Sequence, residues 1–443
     1  MSHERRNARR ARTGFHDETG PWYVLDNAAI IMPAVVNRVE TSLFRMSATL
    51  DHPVKLPELT KALERTARRF PYFNVELRRG FFWYFLQPCK ALPLPEADAR
   101  DPGMDYDIRK RGRRLYRVRA FGARVACEFS HALTDGTGGM TFLKTLLAEY
   151  FRELGVDSSP MPDIFDVSAR PDPAEYEDGY QRFYKPGVPP PEPLPKAFHM
   201  DAPLLPGFRY RITSGAMPFT ELSAQAKARG ATLNELLVAA YFEALLELRA
   251  SYTGPRAKRA RPVVSVEVPV NMRKHYPTRT LRNFSLFVLP SLDARLGTWS
   301  FDELVEFIHH YMKIENDERR IARQIARNAG GARNVLVRLV PLPLKDFFAK
   351  LLFSALGEAL ISGLVSNLGP VSLPPELAER VLGFDFIGAP SGNLMTNASV
   401  LSWKGEVKVV FGSRTDDRTV ERLFFRRMRA LGVPVRVDGN AED

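Results

Sequence analysis

The sequence contains little cysteine. Only two of its 443 residues are cysteines, Cys89 and Cys127, which is too few for a disulfide framework. Cys127 lies in an apolar stretch, where a cysteine usually packs as a small core residue. This usage fits a reducing compartment, so we predict a cytoplasmic protein. No signal peptide and no uninterrupted apolar span of about 18 residues is apparent, so no transmembrane segment is predicted.

The nearest approach to a long apolar span runs from Phe347 to Leu364, and Lys350 and Glu358 interrupt it. The interruptions favour a buried or interfacial helix over a membrane span. The wider run from Leu336 to Leu364 leaves three interpretations open. It could wall an acyl or acceptor pocket, belong to the core, or form a surface that contacts a membrane peripherally.

Residue patterns for several other chemistries are missing. The Gly-x-Ser-x-Gly pattern of a hydrolase nucleophile is absent, and neither cysteine has the setting of a nucleophile. The histidines lack the companion ligands that zinc requires, so no metal site is predicted. The net charge of +12 suits a phosphate-rich ligand such as a nucleotide-bearing cofactor. Nothing resembles a nucleic-acid-binding module, so no nucleic-acid partner is expected.

Length and composition indicate a globular chain of two domains or two closely packed halves. Residues 1–20 include an arginine-rich segment and are predicted to form a disordered basic arm. Prolines punctuate residues 156–206, which we interpret as a crossover linker. The linker separates an N-terminal half, residues 21–155, from a C-terminal half, residues 207–436. Residues 437–443 are a predicted tail.

Hydrophobic periodicity predicts an α+β chain in which helices do not alternate strictly with strands. Apolar alternation predicts a strand over Leu43–Leu50, and Phe81–Leu86 also has strand character. Capping-box patterns at Thr232 and Ser300 predict the start of two helices. We expect the second of these helices to end at Gly330-Gly331.

A histidine lies between a predicted strand and a predicted helix, and an aspartate follows it four residues later. His131 ends the strand Arg124–Ser130, and three glycines follow before residue 140, where they permit tight turns and close approach of a ligand. A neutral imidazole can accept a proton from an alcohol, amine or thiol. His131 is therefore a candidate general base for direct group transfer without a covalent enzyme intermediate, although a purely structural histidine stays an alternative. Asp135 could anchor the loop or cap the helix.

The segment from His131 to Gly136 matches the His-x-x-x-Asp-Gly signature of the chloramphenicol-acetyltransferase-like superfamily. That superfamily includes CoA-dependent acyltransferases, peptide-synthetase condensation domains and alcohol acetyltransferase-like proteins. Further segments resemble its elements in order: Arg69–Phe73, Val268–Arg273, Asn283–Phe284 and Val365–Gly369. The resemblance covers roughly residues 22 to 412 and is closest to bacterial alcohol acetyltransferase-like proteins.

The resemblance implies two pseudo-symmetric α+β halves, each with mixed sheets and flanking helices, and an active-site tunnel at their interface. It implies an acyltransferase that moves an acyl group, such as acetyl, from a CoA thioester to a small-molecule alcohol or amine acceptor. Acyl-CoA would be a co-substrate, and no cofactor would be bound permanently. One alternative is a stand-alone condensation-like enzyme that uses thioesters of an acyl or peptidyl carrier protein. Another is a non-catalytic protein of the same fold that binds acyl chains or other ligands.

The resemblance also implies roles for individual residues. His131 would be the general base, and Asp135 and Gly136 would be structural parts of the active site. Ser366 or Asn367 would stabilise the oxyanion or line the tunnel, although a turn before Pro370 is an equal alternative for both.

Asn271 and Arg273, in the segment Val268–Arg273, are candidates for support of the tunnel. The resemblance pairs Asp135 with an arginine that the sequence does not identify. The arginines considered for this partner are Arg45, Arg69, Arg78 and Arg282. Ser130 stands where condensation domains usually carry a second histidine, which favours the acetyltransferase-like members.

Overall fold

The computed structural model describes residues 22–392 and 394–440. The predicted basic arm, residues 1–20, lies outside the described residues, as do residues 441–443 of the predicted tail. The strands are β1 (Tyr23–Val24), β2 (Leu43–Leu50), β3 (Val75–Arg79), β4 (Tyr84–Pro88), β5 (Glu96–Ala97), β6 (Tyr116–Phe121), β7 (Arg124–Ser130), β8 (Arg211–Pro218), β9 (Val263–Asn271), β10 (Ser285–Val288), β11 (Ser291–Asp293), β12 (Gly363–Pro370), β13 (Val381–Ile387), β14 (Thr396–Trp403), β15 (Glu406–Ser413) and β16 (Arg436–Gly439).

The helices follow the apolar periodicity and capping patterns of the sequence. They are α1 (Met32–Val35), α2 (Leu56–Arg69), α3 (Gly136–Glu153), α4 (Gly179–Phe183), α5 (Phe219–Lys227), α6 (Leu233–Ala250), α7 (Gly254–Arg259), α8 (Phe301–Glu315), α9 (Glu318–Arg333), α10 (Val335–Leu339), α11 (Leu342–Leu356), α12 (Pro375–Ala378) and α13 (Thr419–Ala430). Both predicted capping boxes are present, at Thr232 for α6 and at Ser300 for α8.

A five-stranded sheet carries the motif strand, in the order β13-β2-β7-β6-β5. Strand β7 lies between β2 and β6 and ends at Ser130. His131, the next residue, therefore follows an interior strand of the sheet rather than an edge strand. Strand β13 comes from the C-terminal part of the chain and pairs antiparallel with β2. Helices α2 and α3 pack against each other, and α3 contacts β2 and β7. This sheet and the two helices enclose one apolar core.

A larger sheet has the order β10-β9-β12-β14-β15-β8-β16, with β11 also paired to β9. It is mixed, because β12 runs parallel to both β9 and β14 while the other pairs are antiparallel. Helix α6 packs against α8 and α13, and together with this sheet they enclose a second core. The predicted α+β class with mixed sheets is confirmed.

The boundaries of the two halves stay a prediction, but the chain path bears on them. Residues 156–206 contain the short helix α4 and a turn of 3-10 helix, Pro173–Tyr176. The buried Glu175 in that turn accepts hydrogen bonds from Arg69 at 2.6 and 2.8 Å. The segment is therefore tied to the end of α2 in the first core.

The long helix predicted from Ser300 to Gly330-Gly331 is wrong in two respects. It is divided into α8 and α9, because Asp317 accepts a hydrogen bond from the backbone N–H of Arg319 and so begins a new helix. Helix α9 then continues through the glycine pair to Arg333. Neither glycine adopts the positive φ of a helix-ending residue. The strand predicted over Phe81–Leu86 begins only at Tyr84.

The apolar run from Leu336 to Leu364 does not form core over its first part. Helices α10 and α11 expose most of their leucine and phenylalanine side chains, so the core interpretation is wrong for them. Further along, Ala359 and Ile361 are buried, and the chain enters β12. Among the described residues, no helix is both long enough and apolar enough to cross a membrane.

Candidate active site

The backbone of His131 is held on both sides at the end of β7. Its N–H donates to the carbonyl oxygen of Ser42 at 3.1 Å. Its carbonyl oxygen accepts a hydrogen bond from Nδ2 of Asn283 at 2.9 Å. The imidazole ring lies against the ring of Phe44, with 4.7 Å between the centroids. These contacts fix the histidine where the sheet meets the segment that carries Asn283.

The surroundings of the imidazole favour its neutral form. Burial lowers the pKa of His131, because a charged imidazolium loses hydration away from water. The negative charge of Asp135 and hydrogen bonds with the side chain of Asn283 and the backbone of Thr134 act in the opposite direction but do not reverse the shift. Since the usual histidine pKa is about 6.5, His131 is mainly neutral at pH 7. A neutral imidazole is the form that can accept a proton.

Asp135 organises the loop that follows His131. It is the N-cap of α3, and its Oδ1 accepts hydrogen bonds from the backbone N–H groups of Thr137 and Gly138 at 3.1 and 3.3 Å. Its Oδ2 accepts a third backbone hydrogen bond, from the N–H of Phe284 at 2.9 Å. The carboxylate therefore joins the start of α3 to a distant segment of the chain.

The arginine that pairs with Asp135 is Arg273. Its Nη1 lies 2.9 Å from Oδ2 of Asp135, and its Nη2 lies 3.2 Å from Oδ1, so the pair is bidentate. The remaining donors of Arg273 also have acceptors, because Nε donates to the carbonyl of Thr280 at 2.8 Å and Nη2 to that of Arg282 at 2.5 Å. Both side chains are largely buried. Sequence reasoning had placed Arg273 only among the residues that support the tunnel.

The four arginines considered for this partnership lie elsewhere. Three of them pair with other carboxylates: Arg45 with Asp98, Arg69 with Glu175 and Arg78 with Glu76. The fourth, Arg282, is fully buried, and the opposite charge that acts on it most strongly is that of Asp26. All four candidates are therefore wrong, because the partner lies in the segment Val268–Arg273 of the C-terminal half.

Two further hydrogen bonds connect the motif loop to residues 271–284. The hydroxyl of Thr134 donates to the carbonyl of Leu281 at 2.5 Å. Nδ2 of Asn271 donates to the hydroxyl of Thr137 at 3.2 Å. Asn271 therefore lies beside the start of α3, next to Arg273. The two residues predicted as tunnel supports contact the motif loop directly.

The motif glycines pack closely against other parts of the chain, and close packing requires glycine at Gly138. A Cβ atom added to Gly136 would overlap the side chain of Leu368, and one added to Gly138 would overlap Thr134 and the carbonyl of Leu281. Alanine cannot be accommodated at Gly138 without a shift of backbone. The structure therefore places Gly136 against β12, the strand that carries the predicted oxyanion residues.

Ser366 and Asn367 differ in their surroundings. Oδ1 of Asn367 accepts from the N–H of Gly369 at 2.8 Å, and its Nδ2 donates to Asn234 at 3.1 Å, so its polar atoms serve the turn and α6. Val365 packs in the second core, so Ser366 turns to the opposite face of β12. That is the face from which Leu368 reaches Gly136. Within the described chain, the Ser366 hydroxyl has no hydrogen-bond partner.

Ser130, in the position of the second histidine of condensation domains, is fully buried. Its hydroxyl lies 2.9 Å from that of Ser42 and accepts a hydrogen bond from the N–H of Ala132 at 3.1 Å. The side chain is thus part of the loop's internal structure.

Two acidic residues were missed by sequence reasoning. Asp26 accepts hydrogen bonds from both the side chain and the backbone of Asn283, so it supports the residue that holds the His131 carbonyl. Burial and the nearby charge of Asp178 raise the pKa of Asp26 to about 7. The sequence did contain a sign of a buried carboxylate at this position, because Asp26 directly follows the apolar residues Trp22–Leu25.

The second is Glu267, on β9. Val266 and Val268 beside it pack in the second core, so Glu267 points to the opposite face, which it shares with Asn271. Its neighbour on β12 is Leu364. Burial raises the pKa of Glu267 to about 7, and within the described chain it has neither an ion pair nor a hydrogen bond. The sign in the sequence was a single acidic residue, Glu267, within a strand rich in valine.

Comparison with solved structures defines the fold. The chain superposes with a TM-score of 0.60 and 15% identity on the first condensation domain of the calcium-dependent antibiotic synthetase, covering 93% of this chain and 96% of that one. A trichothecene 15-O-acetyltransferase from Fusarium sporotrichioides gives a TM-score of 0.59 at 13% identity, with 92% and 94% covered. A protein of F. graminearum complexed with coenzyme A and deoxynivalenol gives 0.58 at 12%, with 93% and 97% covered.

The chain thus has the two-lobed fold of condensation domains and CoA-dependent acyltransferases, and these neighbours match the superfamily that the motifs resemble. No protein-family model matches the sequence, and no curated protein sequence matches it.

Proposed function

We propose that this protein is an acyltransferase in which His131 acts as general base. The observation that carries the proposal is an imidazole whose backbone is held on both sides at the end of β7, in a loop that Asp135 and Arg273 hold against the second half of the chain. Burial lowers the pKa of this imidazole and so favours its neutral form. His131 would remove the proton from an acceptor hydroxyl or amine as that group attacks a thioester carbonyl. The same imidazole could then return the proton to the leaving thiolate.

The negative charge that develops on the carbonyl oxygen needs a hydrogen-bond donor. Ser366 is the candidate, since its hydroxyl is uncommitted and lies on the face of β12 that reaches the motif loop. Asn367 is a weaker candidate because both polar atoms of its side chain already have partners. Asp135 has a positioning role, since its oxygens are occupied by Arg273 and backbone N–H groups.

The donor would be an acyl thioester of CoA. One structural neighbour was solved with coenzyme A, which supports this choice. Other neighbours are a condensation domain of an antibiotic synthetase and a nonribosomal peptide synthetase, so a thioester on a carrier protein is the second candidate. The acceptor would be a small-molecule alcohol or amine.

A substrate panel tests the proposal. The purified chain is incubated with mixed acyl-CoAs and with alcohols and amines, and products are detected by mass spectrometry. A parallel panel offers the same acyl groups on a phosphopantetheinylated carrier protein. A product that needs His131 and forms only from CoA thioesters supports the proposal. A product that forms only from the carrier-protein thioester would show that the carrier protein, and not CoA, supplies the acyl group. Binding of thioester without any transfer would contradict catalysis and favour a ligand-binding protein.

A further inference from the structure

Helices α10 and α11 and the turn between β3 and β4 expose a group of large apolar side chains, none of which belongs to the candidate active site. Three of them are strongly exposed: Leu336 at 76%, Phe81 at 72% and Phe347 at 63%. We call the whole group the apolar surface. It consists of Phe81, Trp83, Leu336, Val337, Leu339, Leu344, Phe347, Phe348, Leu351 and Leu352.

Hydrogen bonds hold the two parts of the apolar surface together. The backbone N–H of Leu342, at the start of α11, donates to the carbonyl of Phe81 at 3.0 Å. The ammonium of Lys345 donates to the carbonyl of Phe82 at 2.8 Å. The aromatic turn is therefore fixed against the first turn of α11. Residues far apart in the sequence form one surface.

Helix α11 is amphipathic, with its apolar face turned outward. Leu344, Phe347, Phe348, Leu351 and Leu352 follow the spacing i, i+3, i+4, i+7 and i+8, so they lie on one side of the helix. The helix also packs against α1. In a globular protein such a face normally turns toward the core. An exposed apolar area of this extent marks a binding surface.

Charge indicates what binds there. Residues 333–353 contain four basic side chains, Arg333, Arg338, Lys345 and Lys350, against one acidic side chain, Asp346. Phenylalanine, tryptophan and leucine next to lysine and arginine are the composition of helices that lie in the interface of an anionic membrane. A second copy of the chain fits less well. A two-fold contact would place the same basic residues opposite one another.

We propose that the apolar surface binds the face of a bilayer that contains anionic phospholipids. Phe81, Trp83, Phe347 and Leu351 insert among the headgroups and upper acyl chains, and Arg338 and Lys350 contact lipid phosphates. The proposal does not depend on acyl transfer, because none of these residues belongs to the candidate active site. It makes the protein a peripheral membrane protein.

Vesicle co-sedimentation of the full chain tests the proposal, with phosphatidylcholine vesicles and with vesicles that also contain phosphatidylglycerol. We expect binding to the anionic vesicles that weakens as salt increases. The double variant Phe347→Glu/Leu351→Glu should bind about tenfold more weakly or worse, because it removes two insertions and adds two repulsive charges. The control is Leu296→Glu, which changes an even more exposed leucine that does not belong to the apolar surface and should bind like the wild type.

Fluorescence locates the contact. Trp83 is one of four tryptophans and the one that the proposal inserts into the bilayer. The blue shift of tryptophan emission on vesicle addition should therefore disappear in Trp83→Phe. Three results would overturn the proposal. The first is no binding to either vesicle. The second is full binding by the double variant, which would assign binding to another part of the chain, such as the arginine-rich arm. The third is a lipid-independent dimer that the double variant dissociates.

Discussion

The carboxylate of Asp135 and the guanidinium of Arg273 form a bidentate ion pair, with nitrogen-to-oxygen distances of 2.9 and 3.2 Å. Asp135 belongs to the loop after β7, and Arg273 follows β9 in the larger sheet. The pair therefore connects the sheet that presents His131 to the sheet that presents Ser366. The geometry of the proposed site depends on this connection.

Arg273→Ala should destabilise the protein by about 3–5 kcal/mol, because it leaves the buried Asp135 without its counter-charge. Chemical denaturation measures the free energy of unfolding. Arg279→Ala is the matched control, since it removes the exposed ion pair with Asp172 and should cost less than about 1 kcal/mol. An Arg273→Ala variant as stable as the control would show that the pair does not connect the two sheets.

Gly138→Ala should cost about 1–3 kcal/mol, because the new Cβ overlaps Thr134 and the carbonyl of Leu281. In Gly331→Ala the new Cβ meets open space within α9, so this variant should gain about 0.5–1 kcal/mol from helix propensity. Thermal or urea unfolding compares the two. Equal effects in the two variants would contradict the close packing at Gly138.

Ser366→Ala should lower kcat by about 10²–10³-fold and leave the unfolding midpoint unchanged, if its hydroxyl stabilises the oxyanion. Asn367→Ala should show the reverse, since its side chain bonds Gly369 and Asn234. We expect a loss of stability with a smaller effect on kcat. Unchanged kcat in Ser366→Ala would remove Ser366 from the mechanism.

Glu267→Gln should change how stability depends on pH. The raised pKa of Glu267 means that the folded state binds its proton more tightly than the unfolded state does. This contribution to stability is complete below the unfolded pKa of about 4.3 and is lost as the pH rises through about 7. The variant should therefore match the wild type at about pH 3.5, below the unfolded pKa, and exceed it by about 1–3 kcal/mol at pH 8.

Urea denaturation at both pH values measures this difference. The control is Glu379→Gln, which makes the same substitution at an exposed surface position. A Glu267→Gln variant that is less stable than the wild type at pH 8 would contradict this account. It would mean that a favourable partner stabilises the Glu267 carboxylate.

Much of the fold followed from local patterns in the sequence. The strand Leu43–Leu50 and the capping boxes at Thr232 and Ser300 appear as predicted, because alternation and capping act over a few residues. The break after α8 was missed, since one side-chain cap at Asp317 outweighs a continuous helical pattern. Pairing of β13 with β2 joins residues far apart in the chain and leaves no local trace.

The site shows the same division between local and long-range information. The helix cap by Asp135 was foreseen from its position, because the residues it caps follow it directly. Its ion pair with Arg273 was not, since 138 residues separate the two. Asp26 and Glu267 were missed for a related reason: their raised pKa values come from burial that only the folded chain creates.

The most direct test of the central claim is kcat/KM for acyl transfer by His131→Ala, measured beside thioester binding by calorimetry. Without the imidazole no side chain of the motif loop can take the acceptor proton, and general-base catalysis is typically worth about 10²–10⁴-fold. We predict a loss of at least that size in a folded variant that binds thioester as tightly as the wild type. A His131→Ala variant with wild-type kcat/KM would contradict the claim that His131 is the base.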